Sequence, residues 1–294
     1  MMASATASAD AGVVLAQSPH RTAIESSRSA FKALLRRDMT VLRKNLFREF
    51  LPRTLIQPFL LVFVFTFVFP KIGQGIGTGS GGPGPSAFAT VLIAGVVGIS
   101  ILFQGIQAVA LPMVQEFGYT KEIEDRVMAP LPVSMVAFAK VVSGAIQGLI
   151  AAAIVFPIAA VIPASPVHLN VSWPVLITLA PLACITGAAL GLTFGTIFDP
   201  RTVPIMFGVV VIPLTFLGCV YYSWVALTPI KVAGFSWLKV LVLINPLVYM
   251  NEGFRAALTN ANHMSLWAVY GGLLGFAILF LYAGIKGFKK RVLS

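Results

Sequence analysis

Six long apolar runs, almost free of charge, leave this chain few ways to fold. They lie near Thr54–Phe69, Ala87–Leu111, Val141–Ile162, Val175–Phe198, Val203–Tyr222 and Leu266–Ile285. Each approaches or exceeds the roughly 17–25 residues that a helix needs to cross a bilayer's hydrocarbon core. Only helices and closed barrels satisfy every backbone group in lipid, and continuous apolar runs without ten-residue alternation exclude the barrel. Composition agrees: 57% of the 294 residues are hydrophobic and 11% charged, with a mean hydropathy of +0.90. A soluble domain carries about a quarter of its residues as charges. The expected fold is therefore an all-α polytopic membrane protein with six transmembrane helices.

The net charge of +11 is unevenly placed, and its placement argues against nucleic acid as a partner. Arg21, Arg28, Lys32, Arg36, Arg37, Arg43, Lys44, Arg48 and Arg53 precede the first run, and Lys286, Lys289, Lys290 and Arg291 close the chain. Lys121, Arg126, Lys140 and Arg201 fall in or beside the loops after the second and fourth runs, while Lys71, Lys231, Lys239 and Arg255 fall on the other side. Lys and Arg concentrate on cytoplasmic loops. Both termini and the loop 116–132 are thus expected to be cytoplasmic.

Residues 1–25, rich in Ala and Ser, read as a disordered tail rather than a secretory signal. Over 26–53, Phe31, Leu34, Leu35, Met39, Leu42, Leu46 and Phe50 recur every three or four residues between basic ones. That pattern predicts an amphipathic helix lying in the membrane interface, either as an anchor alone or also as part of a docking surface. The remainder, 54–294, forms the six-helix transmembrane domain. Between the fifth and sixth runs, residues 224–262 are apolar but interrupted by Pro246 and by Lys231, Lys239, Glu252 and Arg255. A seventh crossing would put the basic C-terminus on the outer side, against the charge rule. Two short helices forming an outer re-entrant hairpin fit better.

Several chemistries lack their residues. The Gly-rich stretch after the first run does not end in Gly-Lys-Ser/Thr, so it is not a nucleotide-binding loop. Cys184 and Cys219 lie inside expected spans and read as small apolar residues; His20, His168 and His263 are scattered, so no metal site is legible. Ion-coupled carriers place ionisable groups within the membrane. Here the candidates are Glu252 and Arg255, three apart on one helical face, read either as a self-satisfying ion pair or as a transport group. Gln57, Gln104, Gln107 and Gln147 read as interhelical hydrogen-bonding groups, with substrate contacts as the alternative. If the chain transports, its energy must come from a partner.

The loop 116–132, "EFGYTKEIEDRVMAPLP", holds four of the chain's ten carboxylates. Thr120 can cap a short helix that Pro130 and Pro132 end. Glu122, Glu124 and Asp125 complement its dipole, and Glu122 stands four residues before Arg126. A stiff, charged helix at the base of two spans suits a soluble partner; a solvated cap is the plainer alternative.

Three stretches resemble the membrane subunit (permease) of type-2 ATP-binding-cassette exporters, the family of the daunorubicin-resistance-type drug exporters and of O-antigen and teichoic-acid exporters. They are the acidic loop with its following Pro turn and Lys140, the segment "NPLVYMNEGFRAAL", and the basic helix before the first span. The resemblance covers nearly all of the chain after about residue 28. It implies two permeases, identical or sister chains, in a lipid bilayer of the cell's inner membrane, with two ATPase subunits. The chain would hold no cofactor itself; ATP and Mg would sit in the ATPase. Glu116, Glu122, Glu124, Asp125 and Arg126 would contact that ATPase, and Asn245, Pro246, Tyr249, Glu252 and Arg255 would form the outer re-entrant gate. The substrate would be drug-like or lipid-like. A polysaccharide or glycolipid exporter, an ion-driven carrier and a non-transporting membrane anchor remain the alternatives.

Overall fold

The computed structural model describes residues 23–72, 84–117, 131–164, 167–198, 202, 205, 207–230 and 236–293. Helices and turns make up these residues, and none of them is in a β-strand.

The first helix, α1 (Ala23–Lys44), buries part of Phe31, Leu34, Leu35, Met39 and Leu42 while its Lys and Arg stay exposed. Its apolar side rests on α4 (Val133–Val161), where Phe31 stacks on Phe138 at 6.3 Å between ring centroids. A turn at Asn45 separates α1 from α2 (Leu46–Lys71), which begins eight residues before the apolar run expected at Thr54 and contains Pro58 and two π-helical stretches. Next come α3 (Pro85–Gln115), α4 and α5 (Trp173–Ile197). The chain then passes through a π-helical stretch, Phe207–Val211, into α6 (Ile212–Phe216). A 3-10 turn (Trp224–Leu227) precedes α7 (Trp237–Leu241), which runs on through a second one, Val242–Ile244, to α8 (Pro246–Leu258) and α9 (Leu266–Leu293).

Among the described residues, five helices are long and apolar enough to cross a membrane: α2, α3, α4, α5 and α9. The fifth expected run, Val203–Tyr222, lies partly outside the described residues. Its described part departs from the expectation at one end: helix stops at Phe216, and the chain turns through 217–222 with Cys219 at φ 54°. α4 also differs, starting at Val133 rather than Val141, so Lys140 stands inside the helix and not at a loop edge.

α3 is the central helix. Of its most apolar stretch 78% is buried, against 22% for those of α2 and α9. Lipid provides no hydrophobic force between helices, so close backbone contact and hydrogen bonds must hold them. α3 and α5 meet through glycines: a Cβ on Gly191 would lie 2.5 Å from the Gly105 carbonyl oxygen, and one on Gly105 would lie 2.5 Å from the Gly187 carbonyl carbon. Polar cross-links supplement this packing. The Thr193 hydroxyl donates to Phe280 O on α9 (2.9 Å), and Thr54 on α2 donates to Gln104 Oε1 on α3 (3.0 Å). Gln104 donates in turn to Gln147 Oε1 on α4 (3.3 Å).

Candidate functional site

Two polar clusters sit along α3. One lies against its first half and centres on α8; the other lies at its C-terminal end, beside α1.

The α8 cluster begins at its cap. Asn245 Oδ1 accepts from Leu247 N (2.9 Å), and Pro246 occupies the first helical position, where no N–H is needed. Asn245 Nδ2 also donates to Leu214 O on α6 (2.6 Å), and the Tyr249 hydroxyl donates to Leu243 O (3.1 Å). One turn further along, Asn251 Nδ2 donates to Gly218 O (2.6 Å). Gly98 of α3 lies so close that a Cβ there would collide with Asn251 Oδ1.

Glu252 and Arg255 are both fully buried. Their ion pair, Nη1 to Oε1, measures 2.6 Å. Glu252 Oε1 also accepts from Trp224 N (2.7 Å), and Oε2 accepts from Met264 N (2.8 Å). Arg255 Nη2 donates to the Cys219 and Val220 carbonyls. The cause of the early end of helix before Tyr222 is now visible. The turn aims three successive carbonyls, from Gly218, Cys219 and Val220, at Asn251 and Arg255, and a continuing helix would have kept the Gly218 and Cys219 carbonyls for itself. Trp224 Nε1 donates to Lys239 O (3.0 Å), and Lys239 Nζ stands 4.0 Å from the centroid of the Trp224 ring, so α7 is tied to the same turn. The Glu252–Arg255 pair thus fastens α8 to the turn after α6 and to the approach to α9.

At the other end of α3, Glu116 is buried, and its carboxylate takes Lys140 Nζ at 2.8 Å and 2.6 Å; each side chain is 8% exposed. Expectation put Glu116 on a partner-facing surface, but its side chain turns inward, because α4 begins early enough to bring Lys140 across from it. Glu122, Glu124, Asp125 and Arg126 lie outside the described residues. Glu116 and Lys140 border a cavity of about 430 Å³ between α1, α2, α3 and α4.

Among the described residues, the buried charges are Glu116, Lys140, Glu252 and Arg255, and they pair two by two. Sequence reasoning singled out Glu252 and Arg255 but not Trp224, Asn251 or the role of Lys140. For Lys140 a signal existed: a lone cation at the edge of a long apolar run calls for a partner. Trp224 acts through its main-chain N–H and Asn251 through a turn that the apolar pattern hides.

Comparison with known proteins places this architecture. The chain is 31% identical over 166 residues to the inner membrane transport permease YadH of Escherichia coli K12, of Escherichia coli O157:H7 and of Shigella flexneri. The match covers 55% of this chain and 60% of those relatives, so the chain spans rather less than two thirds of their length. The match to the ABC-2 type transporter family is broader, extending over residues 29–259 from α1 through the end of α8. With its apolar helices and that match, this multi-pass membrane protein belongs to the ABC-2 type transporter family.

Proposed function

We propose that the chain is the permease of an ATP-driven exporter in the inner membrane, energised by a separate ATPase. The observation that carries this reading is the pairing of the buried charges. Within a transporter family match, Glu116–Lys140 and Glu252–Arg255 neutralise each other. Groups locked in such pairs are poorly placed to relay protons or ions, so the driving force comes from a partner.

In this reading six helices span the membrane, both termini are cytoplasmic, and α7 with α8 forms an outer re-entrant gate. The loop 116–132 seats in an ATPase subunit, two of which serve two permeases, identical or sister chains. ATP and Mg are held by the ATPase. Closure of the ATPase pulls the loop, and the Glu116–Lys140 pair makes the ends of α3 and α4 move together. α3 also packs on α5 and α8, so displacement at its base reaches the Glu252–Arg255 fastening. The substrate is a hydrophobic or amphipathic molecule, drug-like or lipid-like, leaving from the cytoplasm or inner leaflet.

The test is co-purification of the tagged chain with its ATPase, for wild type and for the triple variant Glu122→Lys, Glu124→Lys, Asp125→Lys. The variant is expected to insert normally and to lose ATPase association or coupled ATP turnover. Full coupled turnover by the triple variant would sink the coupling assignment. Absence of any ATPase from the wild-type complex would leave a non-transporting anchor as the better reading.

A further inference from the structure

The cavity between α1, α2, α3 and α4 has no part in the proposed coupling. At about 430 Å³ it falls within the roughly 300–1,000 Å³ of small-molecule sites. Its charges already have partners. Glu116 holds Lys140, Glu49 acts electrostatically on Arg53, and Arg37 and Asp38 have contacts of their own. The cations and anions of the lining therefore balance, and a charged ligand would have to break one pair to form another.

The uncharged groups differ. Ser143 borders the cavity and is only 5% exposed. Buried Thr66, Ser100, Thr193 and Thr215 each return the hydroxyl to the carbonyl four residues back, at 2.6–3.0 Å. Among the described residues Ser143 has no such acceptor, and the carboxamides of Asn45 and Gln107 in the same lining also lack a hydrogen-bond partner. Gln147 Oε1 accepts from Gln104 (3.3 Å), which leaves Gln147 Nε2 for the cavity. A hydroxyl both donates and accepts, and a carboxamide offers an acceptor beside two donors. Such a set is matched by a ligand whose own polar atoms do both, which means hydroxyls. An ester alone would leave the Gln107 oxygen unmet.

The rest of the lining adds the other half of the ligand. It runs along α3 from Gln107 to Glu116 and along α4 from Lys140 to Gln147, about 10–14 Å at about 1.5 Å per residue. Gln107 and Gln147 lie at the end away from the Glu116–Lys140 pair. Val41, Leu42, Phe50 and Leu111 supply apolar wall, which a wholly polar molecule would leave uncovered and an apolar chain would fill.

We infer that this cavity binds an uncharged amphiphile, a small hydroxylated head on an apolar chain, with its hydroxyls on Gln107, Ser143 and Gln147 Nε2. The site belongs to the chain alone and does not depend on the ATPase reading.

The experiment is native mass spectrometry of the purified full chain in lauryldimethylamine oxide, a detergent without hydroxyls. The chain is titrated with monooleoylglycerol, methyl oleate, oleate or oleylamine, which differ in the head. A neutral hydrogen bond is worth about twofold to tenfold, so monooleoylglycerol is expected to be retained about tenfold more strongly than each of the others. Gln107→Leu with Ser143→Ala should lower that retention about tenfold, to the level of methyl oleate. Thermal unfolding should not fall, since neither side chain hydrogen-bonds to another described residue. Glu49→Gln with Arg53→Gln should leave retention unchanged. Methyl oleate, oleate or oleylamine bound as tightly as monooleoylglycerol overturns the inference, as does unchanged retention in the Gln107 and Ser143 variant. Loss of retention in the Glu49 and Arg53 variant would assign the ligand a charge, and displacement by glycerol at equal concentration would make it a free polyol; either result overturns it. Retention of none of the four would leave a cavity for water alone and overturn it too.

Discussion

Replacing Glu252 by Gln changes one atom and tests most of the α8 geometry. The carboxylate accepts from three donors: Trp224 N, Met264 N and Arg255 Nη1. A carboxamide has one acceptor oxygen and an NH2 that must point either at Met264 N or at the Trp224 and Arg255 donors. At least one buried N–H then meets another donor, at a cost of about 1–3 kcal/mol. Arg255, fully buried, also loses its counter-charge, and removing one partner of a buried pair costs about 3–5 kcal/mol. These costs overlap, so about 3–5 kcal/mol is expected for Glu252→Gln. Adding Arg255→Met removes the stranded cation, and the double variant should recover about 1–3 kcal/mol of coupling. The assay is equilibrium unfolding of the purified protein in mixed micelles, run as a double-mutant cycle with wild type and both single variants. Glu252→Gln as stable as wild type, or strict additivity in the cycle, would refute the claim that this pair fastens α8. Under the proposed function, Glu252→Gln also impairs export while the ATPase stays bound; unchanged export would reduce the pair to a structural role.

Other perturbations follow from the same contacts. Gly191→Ala puts a Cβ against the Gly105 carbonyl and should cost about 1–3 kcal/mol through overpacking, whereas Gly275→Ala, mid-helix with open space around it, should stabilise by about 0.4–1 kcal/mol. Lys140→Met and Glu116→Gln should each destabilise the protein. The exchange Glu116→Lys with Lys140→Glu should regain part of that loss in the same unfolding assay, because the two side chains face each other. Gln104→Leu removes links to Thr54 and Gln147 and should cost about 0.6–1.7 kcal/mol, the scale of interhelical hydrogen bonds in membranes; no loss would mean that these groups are satisfied elsewhere.

Much of the site's local structure is legible residue by residue. Asn245 and Pro246 read in sequence as an interruption of residues 224–262, and in the structure that interruption is the start of α8, where the amide caps and the proline needs no donor. Glu252 and Arg255 three apart on a helix must share a face. The period of α1 marks its apolar stripe, expected to face the membrane interface; in the structure half-buried Phe31 and Leu34 lie on the side packed against α4. Glu116 is different. An acidic residue beside other acids reads as surface, and only the position of a lysine 24 residues later reverses that.

The amino-acid order by itself determined that this is a helical membrane protein, because long uncharged runs have no other way to satisfy their backbone in lipid. It determined where the apolar runs lie and that α1 is amphipathic. Tertiary structure alone decided that the helix before Tyr222 stops at Phe216, that Glu116 turns inward to Lys140, and that Glu252 holds three elements together. The physical reason is the same in each case. A buried charge or carbonyl must find its partner wherever the packed helices bring one, and that partner is near in space and distant in sequence.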